Sequence, residues 1–351
     1  MKRVFSYLCP LVFALSIAVS CGTAEQKNKE NDVVCDNEQS GLDNPLVLAL
    51  SMSVGFGSDE QKNKKNDIIY DYELYGLDRP VKMVKVRTYE AMSKFGDVVK
   101  GELTGGYNAS FNSVGNIEVW EEYDSYGDLD YVSKYKYNDN NLLVERASYW
   151  GDGELFRLYK KEYDKDNNCI KTVTYSGDGA LLEYSTYEYE DGNIIRAVNK
   201  NYYDEEEHCS VYINKWNGDK LVETVWEYEG EYNSLTKYTH YDKKHYEWVE
   251  YDKNGEIKAE CSQLLNDLGR LVKESYNDVY MEVKWNEKNL PVYLYNVNLY
   301  NNTNISYHYG DDIPVYYVEY KYDKIGNWIE QIVYEGEIKK PVSISEREII
   351  Y

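Results

Sequence analysis

Proline and phenylalanine are scarce, at 6 residues each in a chain of 351. Long Ala/Leu-rich stretches with helical spacing are missing, which removes a helix bundle from consideration. The six cysteines (Cys9, Cys21, Cys35, Cys169, Cys209 and Cys261) are too sparse for a disulfide framework and lack the close pairs of a zinc site. The last three read as small apolar residues. Only four histidines occur, His208, His240, His245 and His308. "HYDKKH" (His240 to His245) brings two imidazoles near one turn, without a third ligand at suitable spacing. "DKDNN" (Asp164 to Asn168) opens like a calcium loop, yet its twelfth position is Tyr175 rather than Glu. No G-x-S-x-G, H-E-x-x-H, phosphate loop or dinucleotide fingerprint is present. An enzyme is therefore not expected, and neither a cofactor nor a metal is implied. Basic residues are also short, 39 against 62 acidic, for a net charge of -23. Such a surface repels phosphate backbones, so nucleic acid is not an expected partner.

What is abundant is tyrosine, 40 residues, with 23 glycines beside it. Tyrosine suits a half-wet strand: its ring packs while its hydroxyl stays hydrated. Glycine supplies the turns.

The start has the layout of a secretory signal. Lys2 and Arg3 precede a mostly apolar run from Val4 to Val19, and Ser20 is a small residue just before Cys21. "AVSC" (Ala18 to Cys21) resembles a bacterial lipobox, in which the cysteine is acylated and becomes the mature N-terminus. Ala18 stands where that motif usually has Leu. The resemblance implies lipidation of Cys21, and several acyl chains give stable membrane anchoring. The stretch Pro10 to Asp32 then recurs as Pro45 to Asp67, offset by 35 throughout, as a tandem duplication would leave it. Phe56 replaces the cysteine in the copy. Its apolar run, Pro45 to Phe56, is too short to span a bilayer. Residues 1–20 thus read as a lipoprotein signal peptide and 21–66 as a tether; a second membrane contact is the alternative for the copied run.

Repeats dominate the rest of the chain. Gly115, Asn141 and Asn167 stand 26 residues apart, continued by Gly192-Asn193. Gly127, Gly153 and Gly179 form a second series at the same spacing between them. Each unit therefore holds two turns and two strands, a hairpin repeat. "YDSYGDLD", "YDKDNNCI", "YDKNGEI" and "YDKIGNW" share one plan. Tyr ends a strand, Asp can bond the backbone two residues on, and Gly or Asn takes the positive φ. On this plan Asp124, Gly127, Asp164, Asn167, Asp252, Gly255, Asp323, Gly326 and Asn327 are structural turn residues. Alternation checks directly: Tyr316, Val318, Tyr320 and Tyr322 share one face, while Val315, Tyr317, Glu319 and Lys321 take the other. Period-two alternation marks an antiparallel sheet. Cross-strand pairs, about 0.2–1 kcal/mol each, lose to backbone entropy of about 1–2 kcal/mol per residue. The tyrosine face must therefore be covered, and a long twisted sheet curls to cover it.

The phased YDxxGN turns resemble the YD repeats of Rhs-type proteins, and the layout is similar to that of RHS-repeat lipoproteins of Bacteroidetes. Val81 to Glu102 resembles the segment opening the array in that group, and Tyr320 to Tyr351 the closing one. Large Rhs proteins build a hollow β-shell around a toxin; no cargo domain follows Tyr351, so that role is not expected. The expected fold is all-β: tandem antiparallel β-hairpin repeats forming an elongated, curled sheet. Residues 67–106 are read as N-terminal strands opening the array and 107–351 as the repeat domain.

The seven tryptophans, Trp120, Trp150, Trp216, Trp226, Trp248, Trp285 and Trp328, do not follow the 26-residue phase. They are candidates for stacking on a ligand such as a sugar ring, or they simply pack. The expected function is a non-enzymatic, lipid-anchored protein of the bacterial cell envelope, at the outer membrane, with a binding or scaffolding surface for a protein or glycan. The alternatives are a carbohydrate-binding surface module and a hydrolase with an unrecognised site.

Overall fold

The computed structural model describes residues 77 and 79–351, apart from 204–205, 242–243, 268–269, 277–278, 289, 299–305 and 308–314. Cys21, the signal peptide, the tether and His308 lie outside the described residues.

The described chain is a meander. β1 (Met83–Lys94) and β2 (Asp97–Phe111) form its longest hairpin. There follow β3 (Ile117–Tyr123), β4 (Leu129–Tyr137), β5 (Leu143–Trp150), β6 (Leu155–Tyr163), β7 (Cys169–Ser176) and β8 (Leu181–Glu190). Next come β9 (Asn193–Tyr203), β10 (Glu206–Asn217), β11 (Lys220–Tyr228), β12 (Glu231–His240), β13 (His245–Asp252) and β14 (Ile257–Leu265). β15 (Leu271–Tyr276), β16 (Val279–Trp285) and β17 (Pro291–Tyr295) complete the series. A small ribbon, β18 (Val297–Asn298) with β19 (Ser306–Tyr307), leaves the sheet before β20 (Val315–Tyr322), β21 (Trp328–Glu335) and β22 (Lys340–Ile350).

Each strand of the large sheet pairs antiparallel with the next, and β17 pairs with β20 across the excursion. β1 pairs with both β2 and β22, so the 20-stranded sheet closes into a barrel. This corrects the elongated, curled sheet expected from the repeat. A ribbon would leave β1 and β22 as two long unpaired edges; closure satisfies both. The seam is continuous from Met83↔Ile350 to Glu90↔Ser343.

The turns explain the YD motif. The Asp124 carboxylate accepts from the N–H of Tyr126 and Asp128, both at 2.8 Å. Asn138, Asp164, Asp252 and Asp323 make the same pair of bonds to residues two and four ahead. The third residue after each takes positive φ: Gly127 at 85°, Asn141 at 59°, Asn167 at 67°, Gly255 at 82°, Gly326 at 106°. This is the three-residue hairpin loop in which a type I turn runs into a one-residue bulge. A further register shift falls just before the motif tyrosine, with its extra residue on the following strand, and the tyrosine then opposes the apolar residue opening that strand. Tyr123 faces Leu129, Tyr137 faces Leu143, Tyr163 faces Cys169, Tyr251 faces Ile257 and Tyr322 faces Trp328.

Directly opposed residues share a face, so each face can be followed around the ring. Arg347, Val86, Tyr107, Glu122, Tyr131 and Trp150 lie in one line, and this is the buried side. Leu77 and Val81, ahead of β1, join Val84, Val86, Tyr107, Phe111, Ile117, Trp120, Leu290 and Trp328 in its largest apolar cluster. That cluster brings β1–β3 together with β21 at the rim where the described chain begins and ends. The other face carries opposed charges: Lys136–Glu145 at 2.6 Å, Lys171–Glu162 at 2.8 Å, Arg196–Glu188 at 2.9 Å and Lys85–Glu348 at 3.2 Å. Lys134 lies over Tyr149 and Lys284 over Tyr293 on the same side. A bilayer-spanning barrel needs an outward apolar band about 25 Å tall, and a lysine at its midplane costs about 2–4 kcal/mol. The outer wall of this barrel therefore faces water.

Candidate functional site on the inner wall

The turn residues do not converge. Asp164, Asn167, Asp323, Gly326 and Asn327 sit at the chain-end rim, whereas Asp124, Gly127, Asp252 and Gly255 sit at the far rim. Their polar atoms are engaged by the turns. The Asp164 carboxylate also takes the side-chain amide of Asn168 at 2.9 Å, and Asp323 takes the phenol of Tyr351 at 2.9 Å. Among the described residues no group of three or more His, Cys, Asp or Glu is placed to hold a metal. His245 points towards Ser262 at 3.4 Å and stacks on Tyr241, with ring centroids 4.6 Å apart. Cys169 and Cys261 are buried, and the three described cysteines form no disulfide with one another.

The tryptophans do converge. The pairings place all seven on the inner face, from seven different strands. They divide by height. Trp216 and Trp285 belong to a belt around the chain-end rim. There Tyr137, Tyr163 and Tyr189 each reach back 20 residues and donate to the carbonyls of Ile117, Leu143 and Cys169, at 2.8, 2.8 and 2.9 Å. Trp216 Nε1–H likewise donates to the Ile194 carbonyl at 2.7 Å, His240 Nε2–H to that of Leu221 at 2.7 Å and Trp285 Nε1–H to that of Leu271 at 2.8 Å, reaching back 22, 19 and 14 residues. Tyr320 closes the belt on Pro291 at 3.0 Å. These carbonyls open the odd strands, where the bulge interrupts the ladder, so the belt supplies donors that the backbone lacks.

Trp120, Trp248 and Trp328 are buried. Trp120 stacks on Tyr107 at 4.2 Å, and Arg347 lies 4.5 Å over Trp328. Burial of Tyr107 pushes its phenol up to about 12, against the opposing field of Arg347. The indole N–H of Trp120 donates to Glu122 Oε1 at 2.7 Å. Burial raises the pKa of Glu122; that bond opposes the shift and the Asp130 charge adds to it.

Trp150 is different, 41% exposed at the far rim. Its ring lies 4.5 Å from Phe156 and 6.3 Å from Tyr131, which closes the triangle to Phe156 at 6.0 Å. Below this group the Ser133 and Ser148 hydroxyls bond each other at 2.9 Å, both buried. They form a low floor between the aromatic triangle and the next rank, Tyr135, Arg146 and Tyr159. Arg157, opposite Ser148, is exposed, as is Glu183 on β8, so water reaches this part of the inner wall. A closed sheet of this strand number is wider than its own side chains fill. Sequence reasoning named Trp150 but missed Tyr131, Phe156, Ser133, Ser148, Arg146 and Arg157. Their common signal is register, which no single repeat displays.

No protein-family model matches the chain, and no curated protein matches it. Among solved structures it is similar to a TcdB2–TccC3 complex, with a TM-score of 0.36 and 11% identity over 72% of this chain and 15% of that chain. It is similar also to the Photorhabdus luminescens Tc holotoxin pore, with a TM-score of 0.29 and 10% identity over 72% of this chain and 18% of that one. The chain thus spans about a sixth of the length of these relatives. A porin-like protein from Bacteroides uniformis matches with a TM-score of 0.27 and 12% identity, over 77% of this chain and 96% of that one.

Proposed function

We propose that the chain is a non-enzymatic, lipid-anchored protein of the bacterial cell envelope that binds a ligand against the aromatic inner wall of its barrel. The observation that carries this reading is the placement of all seven tryptophans inside, while the outer wall is given to paired Lys and Glu. An aromatic interior beneath a wetted mouth is a binding arrangement: rings give apolar contact and edges, and the polar tips fix orientation. A glycan is the occupant favoured by Trp150, whose flat exposed ring stands beside Tyr131 and Phe156. The anchor reading rests on the lipobox-like "AVSC" at Ala18 to Cys21.

The test is binding of the full chain to a glycan array, followed by titration of the hits. Saturable binding that falls about tenfold in Trp150→Ala is expected, the weight of an aromatic stack of about 1.4 kcal/mol. No saturable hit, or hits unchanged in Trp150→Ala, would remove the glycan reading.

A further inference from the structure

The inner wall of β4–β7 gathers positive charge in an otherwise acidic chain. Reading across the register, Tyr135, Arg146, Tyr159 and Thr174 form one rank, and Ser133, Ser148, Arg157 and Ser176 form the rank nearer the far rim. Lys161 follows Tyr159 on the same face. None of the inward strand positions from Tyr131 to Ser176 is a carboxylate, although the chain carries a net charge of -23. The carboxylates of these strands, Glu145 and Glu162, point outward to Lys136 and Lys171. Four carboxylates border this wall: Glu122 on β3, held by Trp120; Asp130 at the bulge that opens β4, whose charge acts on Glu122; Asp178, which accepts from the Ser176 hydroxyl; and Glu183 on β8, which accepts from the Thr174 hydroxyl at 3.1 Å. Rings lie beside the cations: Arg146 lies 5.5 Å over Tyr159, Lys161 5.6 Å over the same ring and Arg157 5.1 Å over Phe156.

We propose that this wall binds an anionic oligosaccharide, carboxylated or sulfated, with a sugar ring on Trp150 and its acid group at Arg157 and Arg146. The proposal rests on the glycan reading and names the ligand class for that site. Planar guanidinium forks match carboxylate and sulfate oxygens, and a partly enclosed wall strengthens the attraction. A neutral sugar would make no use of the positive charge gathered on this wall. The acidic remainder of the molecule restricts the ligand to a short or sparsely charged anion; nucleic acid, with a phosphate every few ångströms, meets repulsion over its length.

The experiment is calorimetric titration of the full chain with a galacturonate tetrasaccharide, a sulfated chondroitin tetrasaccharide and neutral maltotetraose. At least one acidic sugar is expected to bind about tenfold or more tightly than the neutral one, with affinity falling as salt rises. The arm that binds identifies the acid group. Arg157→Gln, at an exposed position, should abolish that advantage without changing near-UV circular dichroism. Lys136→Gln, on the outer wall of the same sheet, should change nothing. Equal binding of acidic and neutral sugars, or an advantage that survives Arg157→Gln, would overturn the anionic assignment and leave the glycan reading standing. Absence of binding to all three would overturn both.

Discussion

A single phenol at the end of a strand closes the gap that each bulge opens. Tyr163 donates to the Leu143 carbonyl across the neighbouring strand, at 2.8 Å. Tyr163→Phe keeps the ring and removes the donor, so it should cost about 0.5–1.5 kcal/mol in urea unfolding. The same change at exposed Tyr126 should leave the transition where it was. The turn carboxylates give a pH signature. The backbone N–H of Glu256 leads the groups that hold Asp252 below its ordinary value, burial opposing, with the amides of Asn254 and Gly255 and the Asn254 side chain assisting. A carboxyl depressed in the folded state contributes stability that is present above its unfolded pKa and lost as pH falls through the folded one. The difference in melting temperature between the natural chain and Asp252→Ala should therefore be constant above about pH 5 and shrink below about pH 4. The Asx turns are legible in sequence because donor and acceptor lie within four residues. The phenol belt is not, because its acceptors lie 20 residues back and are backbone atoms with no residue signature.

At the scale of elements, the 26-residue period is a hairpin pair with a bulge at each end. Gly151 and Gly177 keep that period for a reason other than turn geometry. A Cβ on Gly151 would stand 1.8 Å from the Leu129 carbonyl oxygen, and one on Gly177 would stand 1.7 Å from that of Leu155. Gly151 N–H instead donates to Asp130 at 2.7 Å. Gly151→Ala must push two strand ends apart and should cost about 1–3 kcal/mol by thermal unfolding. Ala at Gly153, where nothing lies within 4 Å, meets only the positive φ of 92° and should cost less. Period and alternation exposed the antiparallel hairpins, since both are local. The tryptophans looked unphased because they fill several kinds of place. Trp216 and Trp285 replace belt tyrosines, Trp120, Trp248 and Trp328 are buried, and Trp150 stands exposed at the far rim. Only the register separates these uses.

At the scale of the whole molecule, closure decides what the surface does. It turns the tyrosine and tryptophan face inward and leaves paired charges outside. Closure was illegible in sequence because Thr88 and Ser345, whose hydroxyls meet at 2.9 Å, are 257 residues apart. Nothing in a repeating pattern marks its own last partner. With a water-facing outer wall, membrane attachment would fall to the proposed acyl anchor on Cys21. Cys21→Ala should abolish fatty-acid labelling and move the protein from the membrane to the soluble fraction. Retention of the Cys21→Ala variant after an alkaline carbonate wash would contradict attachment through Cys21.

The most direct test of closure is a cross-link over the β1–β22 seam. In the double variant Thr88→Cys/Ser345→Cys, the opposed strands bring the new side chains within disulfide reach. Mild oxidation followed by non-reducing digestion and mass spectrometry should find the two positions joined within one chain, in nearly all of the monomer. Thiols that stay free, or bridges that form only between molecules, would mean that the two edges do not meet and that the barrel is open.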